Sequence, residues 1–428
     1  MWKEGLRLAA IADDLTGSCD TAVQFSRYGL KTLVSHLPAL AAENSTPIMV
    51  LNTDSRKRRA VAAMHDVSEA TRELLASGRR VFYKKIDSTL KGNWVAEVVC
   101  VSKVAHPSMV FIAPAFPEWG RTTVDGVQLL DGTPVYESGL ARRKTQWNSR
   151  GSPGSDLVAL LQQQLGKRVH LINGSISHKG PQRIEQAIEM SRSRGARFIV
   201  FDAISDNDLI NICLGGCRLE DEVLWVGSAG LARFLPLGWG LQLDTQPSLT
   251  ARTGKAALLI NGSLHPINSP QLEFLAGNRS IHWLTLVDED QAALHETQLK
   301  LESAMVALKS GVDVAISLRP DRGIQSLAQL QRMHVVLQWC ASELIRQNLV
   351  GGTVIVGGET AVKIYRDVHA NGIHVEGEVH PGVPIGFWVG GLLDRQPVIT
   401  KAGGFGYQDT LLRAVEFLHN GRIVGKGS

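Results

Sequence analysis

Short, nearly continuous apolar runs alternate with stretches of helical spacing along most of this chain. The clearest run is Met109-Val110-Phe111-Ile112-Ala113. A strand with no polar alternation belongs in a sheet covered on both faces. Similar runs occupy Leu8–Ala12, Lys31–Ser35, Pro47–Leu51, Arg80–Ile86, Arg168–Ile172, Arg197–Phe201 and Val223–Val226. Between them, Ala60–Ala76 and Gly180–Ser193 carry apolar residues three and four apart, the period of a helix lying on a core. Strand–helix alternation of this kind predicts an α/β fold whose mainly parallel sheet is flanked by helices.

The rhythm breaks between Leu235 and Gly254, where Pro236, Gly238, Gly240 and Pro247 crowd together, and this reads as an inter-domain linker. It then restarts. Ala256–Ile260, His282–Leu286, Asp313–Ser317 and Thr353–Val356 read as strands, and Leu294–Lys309 and Gln325–Gln347 as long helices. The tail is more β-like, at His374–Val379, Ile385–Val389 and Val398–Lys401, before a last helix over Asp409–Leu418. With 428 residues, the chain is expected to form two such domains, 1–235 and 255–428.

In an open parallel sheet, ligands bind outside the carboxyl ends of the strands, so the residues just after each strand carry the chemistry. Asp13-Asp14-Leu15-Thr16-Gly17 follows the first run. The adjacent acids could receive a hydroxyl or a metal, and Asp14 could equally cap a helix. Asp20 reads as a first-turn acid favoured by the helix dipole. Asn52-Thr53-Asp54-Ser55-Arg56 follows the third run, where Arg56 could grip a carboxylate with a two-pronged hydrogen bond or belong to a solvated helix start. Lys84-Lys85-Ile86-Asp87-Ser88-Thr89-Leu90-Lys91-Gly92-Asn93 follows the fourth. Strand alternation sends Lys84 and Lys85 to opposite faces. Buried lysines need a partner, which an acidic ligand or Asp87 would supply. Pro114-Ala115-Phe116-Pro117-Glu118-Trp119-Gly120-Arg121 is a proline-stiffened loop in which Arg121 could meet an anion.

In the second half, Asn261-Gly262-Ser263, Gly357-Gly358-Glu359-Thr360 and Lys401-Ala402-Gly403-Gly404-Phe405-Gly406 each follow a strand. Glycine turns let backbone amides approach phosphates, and helix N-termini favour anions. None matches the P-loop or the dinucleotide fingerprint, which counts against an NAD-dependent dehydrogenase. A non-enzymatic binding protein for a small acid would need the anion site without the nucleotide turns.

Composition narrows the remaining classes. The net charge of +4 is small, and the one dense basic cluster, Arg56 to Arg59, is too local for a nucleic-acid footprint. No apolar run is long enough to span a bilayer, and the first residues lack a signal-peptide layout, so the expected compartment is the cytoplasm. The five cysteines are scattered and odd in number, which argues against a disulfide framework. Cys213 and Cys217 could hold half of a metal site but have no neighbouring Cys or His cluster, and read as buried thiols.

The runs IADDLTG, KKIDSTLKGN, PAFPEWGRTT, GGETA and KAGGFG, in this order, resemble the four-carbon acid sugar kinases, and the resemblance covers nearly the whole chain. It implies a sugar-acid-binding N-terminal domain and an ATP-binding C-terminal domain. Carried over, the substrate residues are Asp13, Asp14, Arg56, Lys84, Lys85, Ile86 and Asp87, with Asp14 or Asp87 orienting the hydroxyl and taking its proton. The nucleotide residues are Ser263, Gly357, Gly358, Glu359, Thr360, Gly403 and Gly404. ATP and Mg²⁺ are implied, and the metal ligands are left open. The KKIDST form is similar to that of the D-threonate kinases. The stretch Leu140 to Thr145 lacks the His-Pro-Leu-Thr-Pro-like segment of the 3-oxo-tetronate kinases. D-Erythronate or 3-oxo-tetronate is the alternative substrate. A homodimer is the expected assembly, as the commonest soluble oligomer.

Overall fold

The structure, a computed structural model, describes residues 7–40, 46–138, 154–219, 222–243, 254–286, 291–318 and 326–421. The stretch from Leu140 to Thr145 and residues 244–253 of the expected linker lie outside them. The chain divides into two compact units, Met1–Asp244 and Thr245–Ser428.

In the first unit the strands are β1 Leu8–Ala12, β2 Thr32–Ser35, β3 Ile48–Asn52, β4 Arg80–Lys85, β5 Met109–Ala113, β6 Arg121–Val124, β7 Val127–Leu130, β8 Thr133–Pro134, β9 Val169–Ile172, β10 Phe198–Phe201 and β11 Val223–Gly227. The helices are α1 Leu15–Ser26, α2 Ala60–Ala76, α3 Trp94–Ala105, α4 Leu157–Leu165, α5 Gly174–Ser177, α6 Pro181–Ser193, α7 Asp206–Gly216 and α8 Ala229–Gly238. Eight strands pair in parallel in the order β2-β3-β1-β4-β11-β5-β10-β9. Strands β6 to β8 form a separate antiparallel sheet.

Helices cover both faces, as the apolar strands require. Val67 and Leu74 of α2 and Trp94, Val98 and Val101 of α3 pack with Ile11, Leu51 and Val226 in one core. On the other face, Phe25 of α1 meets Phe82 edge-on with centroids 5.5 Å apart and stacks on Trp239 at 6.0 Å. Burying large aromatic and aliphatic side chains contributes about 1.5–3 kcal/mol each. Helix α8 runs through Pro236 to Gly238, past the point where the rhythm of the sequence breaks.

The second unit contains β12 Ala256–Asn261, β13 Ile281–Leu286, β14 Asp313–Leu318, β15 Val350–Val356, β16 Gly372–His380, β17 Val383–Val389 and β18 Pro397–Lys401. Its helices are α9 Asn268–Asn278, α10 Gln291–Lys309, α11 Leu327–Arg346, α12 Gly358–Asp367 and α13 Thr410–Asn420. The order is β13-β14-β12-β15-β18-β17-β16. The first five strands are parallel, and β17 and β16 run antiparallel. Leu272, Leu275, Leu411, Val415 and Leu418 of α9 and α13 seal one face. The expected fold, α/β with a mainly parallel sheet in each of two parts, is the fold observed.

Candidate functional site

In the first unit, β1 lies between β3 and β4, and Ala12 is level with Asn52. The loops after these three strands therefore emerge side by side at the carboxyl edge. Asp14 is the N-cap of α1, accepting from the Gly17 N–H at 3.2 Å and the Thr16 hydroxyl at 2.8 Å. The β3 loop is stitched to the end of β1. Thr53 N–H donates to Ala12 O at 2.9 Å and Arg56 N–H to Asp13 O at 3.2 Å. This fixes Arg56 as a fork on Asp13, from Nε to Oδ2 at 2.9 Å and from Nη2 to Oδ1 at 2.8 Å. Nη2 also lies 2.7 Å from Asp14 Oδ1. Nη1 has no hydrogen-bond partner among the described residues.

Burial alone would raise the Asp13 pKa, but the Arg56 charge and hydrogen bonds, with Lys84 and Lys85 behind, hold it below the usual carboxylate range. The same acids, with Asp87, hold Arg56 protonated against its own burial. Gly92 closes over this pair. Its φ is +92° and a Cβ there would lie 2.8 Å from Asp13 Oδ2, so glycine is required on both counts.

Strand β4 separates its two lysines. Lys84 and Ile86 point to the α2–α3 side. Lys84 Nζ lies 2.8 Å from Glu97 Oε2, both side chains sealed from solvent, and Ser55 Oγ donates to Glu97 Oε1 at 2.7 Å. The Ile86 side chain lies in the core. Lys84 thus presents no surface to a ligand, and Ile86 offers only its main chain. Lys85 goes the other way. Its Nζ lies 3.0 Å from where a Cβ on Gly17 would stand, and it makes no hydrogen bond or ion pair among the described residues, although the residue is 4% exposed. Asp87 accepts from the Thr89 hydroxyl at 2.7 Å. Burial would raise its pKa, but Lys91, Arg56 and Lys85 hold it well below the carboxylate range. Arg121 is lowered by burial and feels the charge of Asp87, so the β6 sheet reaches this cluster.

The second unit builds a different site by the same rule. Asn261, Val356 and Lys401 stand abreast at the ends of β12, β15 and β18. Their loops converge: a Cβ on Gly403 would lie 2.3 Å from Ser263 Oγ, one on Gly404 3.2 Å from His265 Nε2, and one on Gly262 2.0 Å from Thr360 Oγ1. Gly357, with φ +103°, precedes α12, whose first turn no side chain caps. The Thr360 hydroxyl is buried and has no hydrogen-bond partner among the described residues. Uncapped amides, an unpartnered hydroxyl and a glycine-lined approach fit phosphate groups. Gly358 and Glu359 form the first turn of α12, with Glu359 exposed.

Of the candidate residues, Asp13, Asp14, Arg56, Lys85 and Asp87 come together, as do Ser263, Gly357, Thr360, Gly403 and Gly404. Sequence reasoning missed Glu97, Gly92, Asn268 and Lys401 as supporting residues. Glu97, a fully buried acid on an apolar helix, is the one with a sequence signal, since such an acid requires a cation. Cys213 and Cys217 pack where α7 meets α8: a Cβ on Gly238 would lie 2.6 Å from Cys217 Sγ, and burial pushes the Cys217 thiol up to about 12.

A charged cluster at the strand ends of the first unit and a glycine-lined group of turns that fits phosphate in the second are the two candidate sites. The chain belongs to the family built from a sugar-binding N-terminal domain, matched over residues 8–235, and a nucleotide-binding C-terminal domain, matched over residues 258–411. This is the family its motifs resemble. It is 31% identical to a D-threonate kinase of Bordetella bronchiseptica, across 98% of this chain and 99% of the relative. It is 29% identical to a D-threonate kinase of Salmonella typhimurium, across 96% and 98%. A solved Haemophilus influenzae protein shares the fold with a TM-score of 0.75 at 21% identity, covering 96% of this chain and all of that one.

Proposed function

We propose that this chain is an ATP-dependent kinase that phosphorylates the terminal hydroxyl of a four-carbon sugar acid, D-threonate, giving 4-phospho-D-threonate. Residues 1–235 bind the acid and residues 255–428 the nucleotide. Lys85 carries the reading: a buried ammonium close to Asp14, with no direct hydrogen bond or ion pair among the described residues, is a seat for a small carboxylate.

The substrate hydroxyl oxygen forms a bond to the γ-phosphorus while the bond from that phosphorus to the bridging oxygen breaks, and ADP leaves. Phosphoryl transfer needs positioning and charge neutralisation more than covalent help. Asp14 orients the hydroxyl and takes its proton. Asp87, held ionised by its cationic neighbours, is a weak base and orients the substrate by accepting a hydrogen bond. The phosphates rest on the amides of Gly357 to Thr360 and the turn at Gly403-Gly404, with Ser263 alongside. Mg²⁺ bound with ATP supplies further charge neutralisation. Among the described residues no group of three His, Cys, Asp or Glu side chains is placed to hold a metal ion by itself.

No helix of the described residues is long and apolar enough to cross a membrane, and the proposed setting is a cytoplasmic homodimer. The test of the acid seat is Lys85→Met. It is expected to raise KM for D-threonate by roughly 10–100-fold, the worth of a charge-assisted hydrogen bond, with KM for ATP unchanged. An unchanged KM for the acid would remove the anion seat.

A further inference from the structure

Lys401, the last residue of β18, is fully buried and has no acidic partner among the described residues. Its Nζ donates to Asn268 Oδ1 at 2.8 Å, Phe405 O at 2.8 Å and Ala402 O at 3.3 Å. All three protons of the ammonium are engaged, so it cannot itself reach a ligand. Burial lowers its pKa to about 7, and the three acceptors oppose that loss of the proton.

What Lys401 does is orient Asn268. An ammonium only donates, so the amide atom facing it is the oxygen, and the amide nitrogen faces the other way. There Nδ2 donates to Ser263 Oγ at 3.0 Å and to His265 O at 3.1 Å. His265 N–H donates to the same Ser263 Oγ at 3.3 Å. Both lone pairs of the Ser263 hydroxyl are therefore taken. Its proton has no acceptor among the described residues, and Gly403 stands directly against it.

We infer that Lys401 and Asn268 are positioning residues that set the Ser263 hydroxyl as a pure donor toward a nucleotide phosphate. The relay runs in one direction: ammonium to amide oxygen, amide nitrogen to hydroxyl oxygen, hydroxyl proton to phosphate oxygen. The same Lys401 contacts with Ala402 O and Phe405 O hold the glycine turn against Ser263. This inference rests on the nucleotide reading of the second unit.

The decisive variant is Asn268→Asp in the full chain. A carboxylate keeps the Lys401 contact but accepts from Ser263, so the hydroxyl turns inward and is lost to the nucleotide. Calorimetric titration with Mg·ATP is expected to show roughly 10–100-fold weaker binding, with Tm no lower than wild type and D-threonate affinity unchanged. Ser263→Ala should lose a similar factor, and Ser263→Ala combined with Asn268→Asp should lose no more than either alone. Losses that multiply in the double variant would mean that the introduced carboxylate merely repels phosphate, and would overturn the relay. So would normal ATP binding in Asn268→Asp when Ser263→Ala binds weakly. If Ser263→Ala itself binds ATP like wild type, the nucleotide reading falls with the relay. Should Asn268→Asp not fold, Lys401→Met takes its place: freeing the amide to flip must also weaken ATP, and unchanged affinity would overturn the inference.

Discussion

Lys84 Nζ and Glu97 Oε2 lie 2.8 Å apart, with neither side chain exposed beyond 1%. Removing one charge from such a pair strands the other in the core. Lys84→Met and Glu97→Gln are each expected to destabilise the first unit by about 3–5 kcal/mol. The double replacement by Met at both positions should recover at least half of that loss. Denaturant titration of the three variants checks it, and a loss in the double variant as large as the two single losses added together would show that the pair is not coupled.

The two glycines around the acid seat give a second test. Gly17→Ala would put a methyl group 2.4 Å from Asp14 Oδ1 and 3.0 Å from Lys85 Nζ, in the space assigned to substrate. It should raise KM for the sugar acid at least tenfold. Gly92→Ala, by contrast, forces a side chain into a left-handed conformation against Asp13 and should cost about 1–3 kcal/mol of stability. Thermal melts and steady-state kinetics on both variants separate the two effects.

Strand positions were open to sequence reading because a sheet buried on both faces demands continuous apolar runs. Met109–Ala113 and Ala60–Ala76 match the observed elements residue for residue. The separate β6–β8 sheet was not read, although Asp125-Gly126 and Asp131-Gly132 join its strands as two-residue turns. Its strands are short and only partly buried, so they leave little apolar signal. The opposite facing of Lys84 and Lys85 followed from alternation. Which of them faces the acid seat did not, because that depends on Glu97, on the helix that follows. The orientation of Asn268 is likewise invisible in sequence, since its partner Lys401 is 133 positions away.

Acid stability should report the carboxylate cluster. The folded-state pKa of Asp87 is depressed below its unfolded value, so its contribution is present above about pH 4 and is lost as pH falls through the folded value. Asp87→Asn should therefore be less stable than wild type at neutral pH, and the gap should close as the solution is made strongly acidic. A gap independent of pH would mean that Asp87 acts through shape alone.

The same residue and Asp14 divide the catalytic roles. Asp14→Asn should lower kcat by roughly 10²–10⁴-fold, the usual worth of acid–base help. Asp87→Asn should act mainly on KM for the acid. Near-wild-type kcat in the Asp14 variant would leave phosphoryl transfer to positioning and charge neutralisation.

Product identity tests the central claim most directly. The full chain, given Mg·ATP with D-threonate, D-erythronate or 3-oxo-tetronate separately, is followed by phosphorus NMR and mass spectrometry. The account predicts equimolar ADP and a phosphate ester on the terminal carbon, formed fastest with D-threonate and lost in the Lys85→Met variant at low acid concentration. ADP formed without any phosphorylated acid, or no turnover with all three acids, would contradict it.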